Sequence, residues 1–283
     1  MKRVLMLALT LLPSSARADE ATLADVENTL GQVPTFLRSF PSEALESAWG
    51  DMKALELNPK TALPGKVKEL IGLAVAAQIP CRYCIYFHTQ AAKLNGATSD
   101  ELGEALLAAS QTRRWSTVLN GNQIDEAQFR AEFAKIVENA RAGKVKPNTG
   151  VKVVDAASAI TDIEGTLGFV PGFFKSYPEV ALAPAWKGFK GLWLSQTQVA
   201  PKYKELIGLA VASQIPCRFC IVAHTELARL NGATDTEIEE AVGMAAATRF
   251  WSTYLNGSMT DEATFKKETD QIVSRFRKAT AKK

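Results

Sequence analysis

Apolar residues recur at the spacing of α-helices along almost the whole 283-residue chain, and the alternation typical of β-strands is scarce. Ala, Leu, Glu and Lys, which favour helices, dominate these segments. Residues 66–78 are almost wholly apolar after Glu69, so we expect that helix to be buried on most sides. The pattern predicts an all-α fold in which the helices pack as a bundle.

Local signals predict where the central helices begin and end. Pro80 interrupts the apolar helix, and because proline is tolerated at a first helical position, a second helix can begin at Pro80 or Cys81. An Asn-Gly pair ending at Gly96 predicts the end of that helix. Thr98, followed three residues later by Glu101, is typical of a capping box that starts the next one. The same signals recur in the second half of the chain.

The chain contains an internal duplication. Residues 68–98 read KELIGLAVAAQIPCRYCIYFHTQAAKLNGAT, and residues 204–234 read KELIGLAVASQIPCRFCIVAHTELARLNGAT. The correspondence extends upstream, where residues 25–41 match residues 162–178, and downstream to matching tryptophans. Such self-similarity indicates repeated structural units.

The repeat boundaries follow from this match. The segment RAGKVKPNTG, residues 141–150, has the composition of a linker. We therefore predict two tandem repeats, residues 19–146 and residues 147–283, each with five or six helices.

The first eighteen residues predict a secretory signal peptide. Lys2 and Arg3 form a basic start, residues 4–12 an apolar core, and residues 16–18, Ala-Arg-Ala, a cleavage signature. The apolar run is shorter than the roughly 20 residues that span a bilayer. We expect cleavage after residue 18 and a secreted, periplasmic protein with no membrane attachment; an uncleaved N-terminal anchor is the alternative.

Cleavage changes the charge balance. The chain has 33 Lys and Arg against 30 Asp and Glu. The predicted signal contains three of the basic residues and no acidic one, so the mature chain is close to neutral. A neutral chain argues against a nucleic acid or an anionic membrane as the partner.

The duplicated stretch contains all the thiol and imidazole groups of the protein, four cysteines and two histidines. Each copy combines a glutamate, a Cys-x-x-Cys pair and a histidine at identical spacing. These candidate catalytic residues are Glu69, Cys81, Cys84 and His88 in the first copy, and Glu205, Cys217, Cys220 and His224 in the second.

The spacing favours thiol redox chemistry. Cys81 and Cys84 lie three residues apart at a predicted helix start, where a disulfide is possible and the helix dipole favours a thiolate. His88, four residues further, lies on the same helical face and can move a proton near neutral pH. Glu69 lies beside apolar surface that should raise its pKa, which suits it to act as base and then as acid. The residues alone do not place Glu69 against the cysteines.

Three other interpretations compete with redox chemistry. A Cys-x-x-Cys pair in an exported protein can be a purely structural disulfide. A zinc site is disfavoured because the cysteines and the histidine lie within one helix. A c-type haem needs Cys-x-x-Cys-His, whereas Ile85 and Ile221 follow the second cysteines. We therefore predict no metal and no other cofactor.

The duplicated pattern of Glu69, Cys81, Cys84 and His88 resembles the signature of the alkylhydroperoxidase D-like proteins, within the carboxymuconolactone decarboxylase superfamily. The resemblance implies a thiol-dependent peroxidase of the peroxiredoxin type, in which the cysteines cycle between dithiol and disulfide while Glu and His relay protons. It implies a hydroperoxide substrate and a dithiol reductant or partner redox protein of unknown identity. Decarboxylase members lack the cysteine pair, so lyase activity is not implied.

The same resemblance implies a homo-oligomer. Members form rings, and a tandem chain that replaces two subunits would give a trimer with pseudo-sixfold character. The best-known member carries a second histidine between its cysteines, where this chain has Arg82 and Tyr83, then Arg218 and Phe219; an arginine there could hold the thiolate. Two alternatives stay open: a thiol-disulfide oxidoreductase acting on proteins, and a helical assembly module with structural disulfides.

Overall fold

The structure, a computed structural model, describes the backbone of residues 14–280 and the side chains of residues 19–279. Within these residues every regular element is an α-helix, which confirms the predicted all-α class. Residues 1–13 and the side chains of residues 14–18 lie outside the described part. The signal peptide over residues 1–18 therefore remains a prediction.

Fourteen helices follow one another along residues 14–280. The helices of the first repeat are α1 (Ser14–Leu30), α2 (Thr35–Arg38), α3 (Ser42–Leu55), α4 (Gly65–Gln78), α5 (Arg82–Leu94), α6 (Ser99–Gly121) and α7 (Glu126–Arg141). Those of the second are α8 (Ala156–Leu167), α9 (Gly172–Lys175), α10 (Glu179–Trp193), α11 (Pro201–Gln214), α12 (Arg218–Leu230), α13 (Asp235–Gly257) and α14 (Glu262–Thr280).

Among the described residues each repeat has six longer helices, in agreement with the expected five or six, and one further single-turn helix, α2 or α9. Each single-turn helix has only four residues and follows a proline, Pro34 or Pro171, that serves as its N-cap. A helix of one turn is too short to show helical periodicity in the sequence.

The predicted boundaries of the central helices are confirmed. Cys81 is the N-cap of α5, as Cys217 is of α12. Gly96 takes a φ of 83° just after α5, a left-handed conformation that glycine adopts without steric cost. Thr98 and Glu101 form a complete capping box at the start of α6.

Helices α4 and α11 lie at the centre of the molecule and pack against each other. Every residue of α4 from Val67 to Ala76 is buried, as the apolar run predicted. Helices α6 and α13 pack on both central helices, so the two repeats share one hydrophobic core.

The last helix of each repeat crosses to the other repeat. Helix α14 packs on α5, and α7 packs on α12. Phe265 of α14 and Trp251 of α13 therefore belong to the same apolar cluster as Cys81 and Cys84. The domain boundaries at residues 19–146 and 147–283 remain predictions from the sequence, but each cysteine helix is covered by the opposite repeat.

No helix among the described residues is both long enough and apolar enough to span a lipid bilayer.

Candidate active site

The cysteine pairs lie at the N-termini of α5 and α12. The sulfur of Cys81 accepts a hydrogen bond from the backbone N–H of Cys84 at 3.2 Å, and Cys217 accepts one from Cys220 at 3.3 Å. Cys81 and Cys84 form a disulfide with their Cα atoms 5.3 Å apart, and Cys217 and Cys220 are free thiols. All four side chains are buried.

The structure brings each predicted glutamate to its predicted histidine. Oε2 of Glu69 lies 2.8 Å from Nδ1 of His88, and Oε2 of Glu205 lies 2.7 Å from Nδ1 of His224. All four side chains are buried. The tight break at Pro80 folds α5 back along α4, so residues 19 positions apart become neighbours.

A glycine of α4 makes room for the imidazole. A Cβ atom at Gly72 would overlap the ring of His88, and one at Gly208 of α11 would overlap the ring of His224. Both glycines lie inside helices, where glycine costs stability relative to alanine. Their place in the repeated motif KELIGLA is explained by this contact.

The opposite repeat supplies a threonine to each histidine. Oγ1 of Thr248, on α13, lies 3.4 Å from Nε2 of His88, and Oγ1 of Thr112, on α6, lies 3.2 Å from Nε2 of His224. The Thr248 hydroxyl already donates to the carbonyl of Met244. It is therefore an acceptor towards Nε2, which assigns the imidazole proton of His88 to Nε2 and leaves Nδ1 as an acceptor.

Burial keeps the pair of the first site uncharged near neutral pH. Burial raises the pKa of Glu69 to about 8 and lowers the pKa of His88. A protonated Glu69 then donates to Nδ1 of a neutral His88, which matches the tautomer assigned from Thr248. A carboxyl with a pKa near the working pH can give up and regain a proton during one reaction cycle.

A second buried carboxyl, not predicted from the sequence, belongs to the first site. Oε1 of Glu56, at the C-terminus of α3, lies 3.5 Å from Nδ1 of His88. Burial, followed by the charge of Glu69, raises the pKa of Glu56 to about 7. Oε1 of Glu56 makes no hydrogen bond within the described residues.

Trp193 takes the place of Glu56 in the second site. Each residue follows its repeat's matched tryptophan, Trp49 or Trp186, by the same number of positions. The Trp193 ring packs on the His224 ring with the centroids 4.9 Å apart. The two sites therefore share the Glu–His pair but differ in the group beside it.

The free thiols of the second site differ in acidity. The hydrogen bond from Cys220, with further hydrogen bonds from Ser116 and Asn120, lowers the pKa of Cys217 to about 6 despite burial. The same sulfur–sulfur hydrogen bond and burial raise the pKa of Cys220. The pair thus holds one shared proton near neutral pH, with Cys217 as the thiolate.

One cysteine of each pair faces a cavity. Cys84, Glu69 and His88 line a cavity of about 390 Å³, and Cys220, Glu205 and His224 line one of about 60 Å³. The first cysteine of each pair, Cys81 or Cys217, does not line its cavity. A small molecule in either cavity would meet Cys84 or Cys220 first.

Within the described residues, one cluster could hold a cation. Glu56, Glu69 and His88 each offer one ligand atom, and these atoms lie within 4.8 Å of one another. The zinc set weighed from the sequence, which combined the cysteines with Glu69 and His88, is a different group.

The arginines that lie between the cysteines form ion pairs with carboxylates of the opposite repeat. The Arg82 side chain is 77% exposed, and its guanidinium lies 3.4 Å from Glu262 of α14. Arg218 likewise lies 3.4 Å from Glu126 of α7. Each arginine therefore contacts the helix that crosses from the opposite repeat.

Two buried lysines were also missed. Nζ of Lys68 donates to the carbonyls of Leu55 and Asn58, and Nζ of Lys204 makes the equivalent bonds to Leu192 and Ser195. Each lysine fixes the end of the preceding helix beside the candidate glutamate, Glu69 or Glu205. The signal was present in the sequence, since a lysine directly precedes that glutamate in both copies.

The chain belongs to the carboxymuconolactone decarboxylase family. The family model matches residues 43–127 and 181–257, one match in each repeat. The resemblance drawn from the two motifs is confirmed at the level of this family, and the double match agrees with the duplication. The residues of both candidate sites up to α6 and α13 fall within the matched segments.

Known proteins show the same fold. A crystal structure described as a gamma-carboxymuconolactone decarboxylase subunit of Burkholderia xenovorans superposes with a TM-score of 0.54 at 18% identity, covering 89% of this chain and 97% of that one. At this identity the likeness extends to the fold alone.

Two uncharacterised bacterial proteins match shorter stretches. The uncharacterised protein 4 in the cox locus of Paracoccus denitrificans is 40% identical over 55 residues, which are 19% of this chain and 50% of that protein. An uncharacterised protein of Cupriavidus necator is 41% identical over 63 residues, 22% of this chain and 54% of that protein. The chain spans about half the length of the curated relatives it matches.

Proposed function

We propose that the protein is a thiol-dependent hydroperoxidase with two sites. The observation that carries this proposal is the buried Glu–His pair beside a cysteine that faces a cavity, present in both repeats. The arrangement supplies a nucleophile, a proton relay and room for a small substrate. The family's name refers to a decarboxylase, but the cysteine pairs favour thiol chemistry over lyase chemistry.

The reaction begins at the thiol that faces the cavity. The Cys84 thiolate attacks the terminal oxygen of the hydroperoxide, the O–O bond breaks, and the sulfur becomes a sulfenic acid. Glu69 donates a proton to the departing alkoxide through His88, so an alcohol leaves. The second site runs the same step with Cys220, whose proton Cys217 accepts.

The second cysteine then closes the cycle. The sulfur of Cys81 attacks the sulfenic sulfur of Cys84, a disulfide forms, and water leaves. One hydroperoxide is reduced to an alcohol and water while one dithiol is oxidised. An external dithiol restores the pair. Because both cysteines are buried, a small dithiol that enters through the cavity is the reductant that fits best.

The test measures turnover by the mature protein with cumene hydroperoxide or hydrogen peroxide and dithiothreitol as the reductant. We expect Cys84→Ser combined with Cys220→Ser to abolish turnover, because neither site then has the thiol that attacks the hydroperoxide. Undiminished turnover in this double variant would sink the proposal. The structural alternative predicts instead that both disulfides resist mild reductant and that their loss lowers Tm.

Burial also bears on the protein-directed alternative. The cysteines of this chain are buried, so a disulfide of another protein could reach them only if this fold opened. The comparison of oxidation rates by a hydroperoxide and by an oxidised protein substrate decides between the two activities. We expect the hydroperoxide to react faster with both pairs.

We further propose that the protein acts outside the cytoplasm, as a homotrimer with pseudo-sixfold character. The predicted signal peptide supports the first statement, and the tandem duplication in a ring-forming family supports the second. N-terminal sequencing of the exported protein tests cleavage after residue 18. Light scattering on the purified protein tests for a mass three times that of the mature chain.

A further inference from the structure

The two sites share one framework but differ in the space they enclose. The cavity at Cys84 measures about 390 Å³, and the cavity at Cys220 measures about 60 Å³. Ligand pockets in proteins typically measure about 300–1,000 Å³, whereas about 60 Å³ has room for only a few water molecules. The first cavity can therefore hold an organic molecule, and the second cannot.

Four positions account for the difference. At each of them the first site has the smaller side chain, and the matching residue of the second site fills the space. The pairs are Met52 and Phe189, Glu56 and Trp193, Ala91 and Leu227, and Thr269 and Phe133.

At two other positions the first site has the larger side chain. Phe87 and Phe276 line the first cavity, and their counterparts are Ala223 and Ala140. The Phe87 ring lies edge-on to His88 with the centroids 5.3 Å apart. These aromatic rings add apolar wall to the first cavity and still leave it open, so they favour an apolar occupant.

One polar corner interrupts the apolar wall. Glu56 is buried, and its Oε1 has no hydrogen-bond partner within the described residues, beside His88 and Glu69. A buried carboxyl oxygen without a partner is unfavourable, and a hydrogen bond with a bound O–H group would remove this cost. The corner is therefore built to hold the polar end of a ligand whose body contacts Phe36, Trp251 and their neighbours.

Resting on the peroxidase function proposed above, we propose that the two sites take different substrates. The first site receives an organic hydroperoxide with a bulky apolar body, and Glu56 binds its peroxide end next to Cys84. The second site accepts only a hydroperoxide as small as hydrogen peroxide. Ala91 and Thr269 in the first site, and Leu227 and Phe133 in the second, determine this specificity.

Binding of the product tests the cavity without any turnover. Cumyl alcohol, the product from cumene hydroperoxide, should bind the purified protein with one molecule per chain in isothermal titration calorimetry. Filling the cavity with Ala91→Leu and Thr269→Phe should weaken this binding by about 10- to 200-fold, the range that one misfitting group costs in an apolar pocket. Two bound molecules per chain, or none, would overturn the proposal.

The opposite substitutions, made in the second site, control for loss of binding that is caused by misfolding. Leu227→Ala with Phe133→Thr gives the second site the residues of the first, and we expect a second molecule of cumyl alcohol to bind each chain. A gain of binding cannot come from loss of structure. If the stoichiometry stays at one, these residues do not determine the specificity and the proposal is wrong in this respect.

Kinetics assign the substrates to the sites. Chains that retain only one cysteine pair are made by replacing the other pair with serine, and the loss of thiols is followed with each hydroperoxide. We expect the ratio of rate constants, cumene hydroperoxide over hydrogen peroxide, to be about 10- to 200-fold higher for the Cys81–Cys84 pair. Equal ratios would overturn the specialisation. If neither pair reacts with either hydroperoxide, the peroxidase function fails, and cumyl alcohol binding still decides whether the cavities differ.

Discussion

A buried carboxyl is the residue that most distinguishes the first site from the second. Glu56 and Glu69 both lie against Nδ1 of His88. Burial raises the pKa of both carboxyls, and the charge of Glu69 raises the pKa of Glu56 further. The first site therefore stores protons at neutral pH, whereas the second has an indole, Trp193, in place of that carboxyl.

We predict that Glu56→Gln reduces the loss of stability between pH 5 and pH 8. Burial raises the pKa of Glu56 from 4.5 to about 7, so the folded chain keeps a proton that the unfolded chain releases. The stabilisation is complete below the unfolded pKa and is lost as the pH rises through about 7. From pH 5 to pH 8, the free energy of unfolding should fall less in the variant than in the wild type, by on the order of 2 kcal/mol.

Urea denaturation at the two pH values measures this difference. Glu46→Gln, on the exposed face of the same helix, is the matched control and should leave the pH dependence as in the wild type. Parallel pH profiles for Glu56→Gln and the wild type would contradict the raised pKa.

The thiol pair of the second site gives another prediction. In a chain with Cys81→Ser and Cys84→Ser, absorbance at 240 nm should show one thiolate titrating near pH 6, because hydrogen bonds lower the pKa of Cys217 to about 6. Cys220→Ala removes the main hydrogen-bond donor and should move the midpoint upwards. If no thiolate forms below pH 8 in the parent chain, the assignment of Cys217 as the thiolate is wrong.

At the scale of elements, α4 and α5 form one unit in which a glycine lets the imidazole lie against the helix. The same contact recurs between α11 and α12. The bare surface at the glycine sets how far the histidine can approach its glutamate. The relay therefore depends on a position that carries no chemistry of its own.

We predict that Gly72→Ala slows thiol oxidation at the first site by about 100-fold, since a Cβ there displaces His88 and an error of 1 Å in a catalytic group costs about this much. Stopped-flow oxidation of the Cys81–Cys84 pair measures the rate. Gly103→Ala is the control, because Gly103 lies on the exposed face of α6 with nothing within 4 Å of the added Cβ. That change should raise stability by up to about 1 kcal/mol without affecting the rate. Equal rates in both variants would show that His88 needs no such room.

Much of the helical structure could be predicted from the sequence. The apolar run, Pro80 and the capping box at Thr98 are local signals, and the helices follow them. Glu69 could be proposed as a relay group because its spacing to the cysteines repeats. Glu56 could not, because the repeat replaces it with Trp193 and its contact with His88 arises only when α3 packs beside α5. Single-turn helices such as α2 leave too little pattern to detect.

At the scale of the whole molecule, the duplication builds each site from both repeats. Helix α14 covers the cysteines of the first repeat, and α7 covers those of the second. A carboxylate adds to these contacts between the repeats. Glu240 of α13 accepts backbone hydrogen bonds from Ala62 and Leu63, which lie ahead of α4. The repeat boundary in the sequence is therefore not a boundary of function, which no local signal in the chain could reveal.

Each histidine contacts a threonine of the opposite repeat, so we predict that one threonine substitution affects only one site. Thr248→Val removes the hydrogen-bond partner of His88, although Thr248 belongs to the other repeat, and Thr112→Val does the same to His224. Loss of one neutral hydrogen bond is worth about 0.5–1.5 kcal/mol, or roughly 2- to 12-fold in rate.

Mass spectrometry of the separate cysteine peptides after limited hydroperoxide treatment should show Thr248→Val slowing only the Cys81–Cys84 pair and Thr112→Val slowing only the Cys217–Cys220 pair. Thr253→Val, on the exposed face of α13, should slow neither. If each variant instead affects the pair of its own repeat, the threonines do not act through the histidines, and the sites are not shared between the repeats.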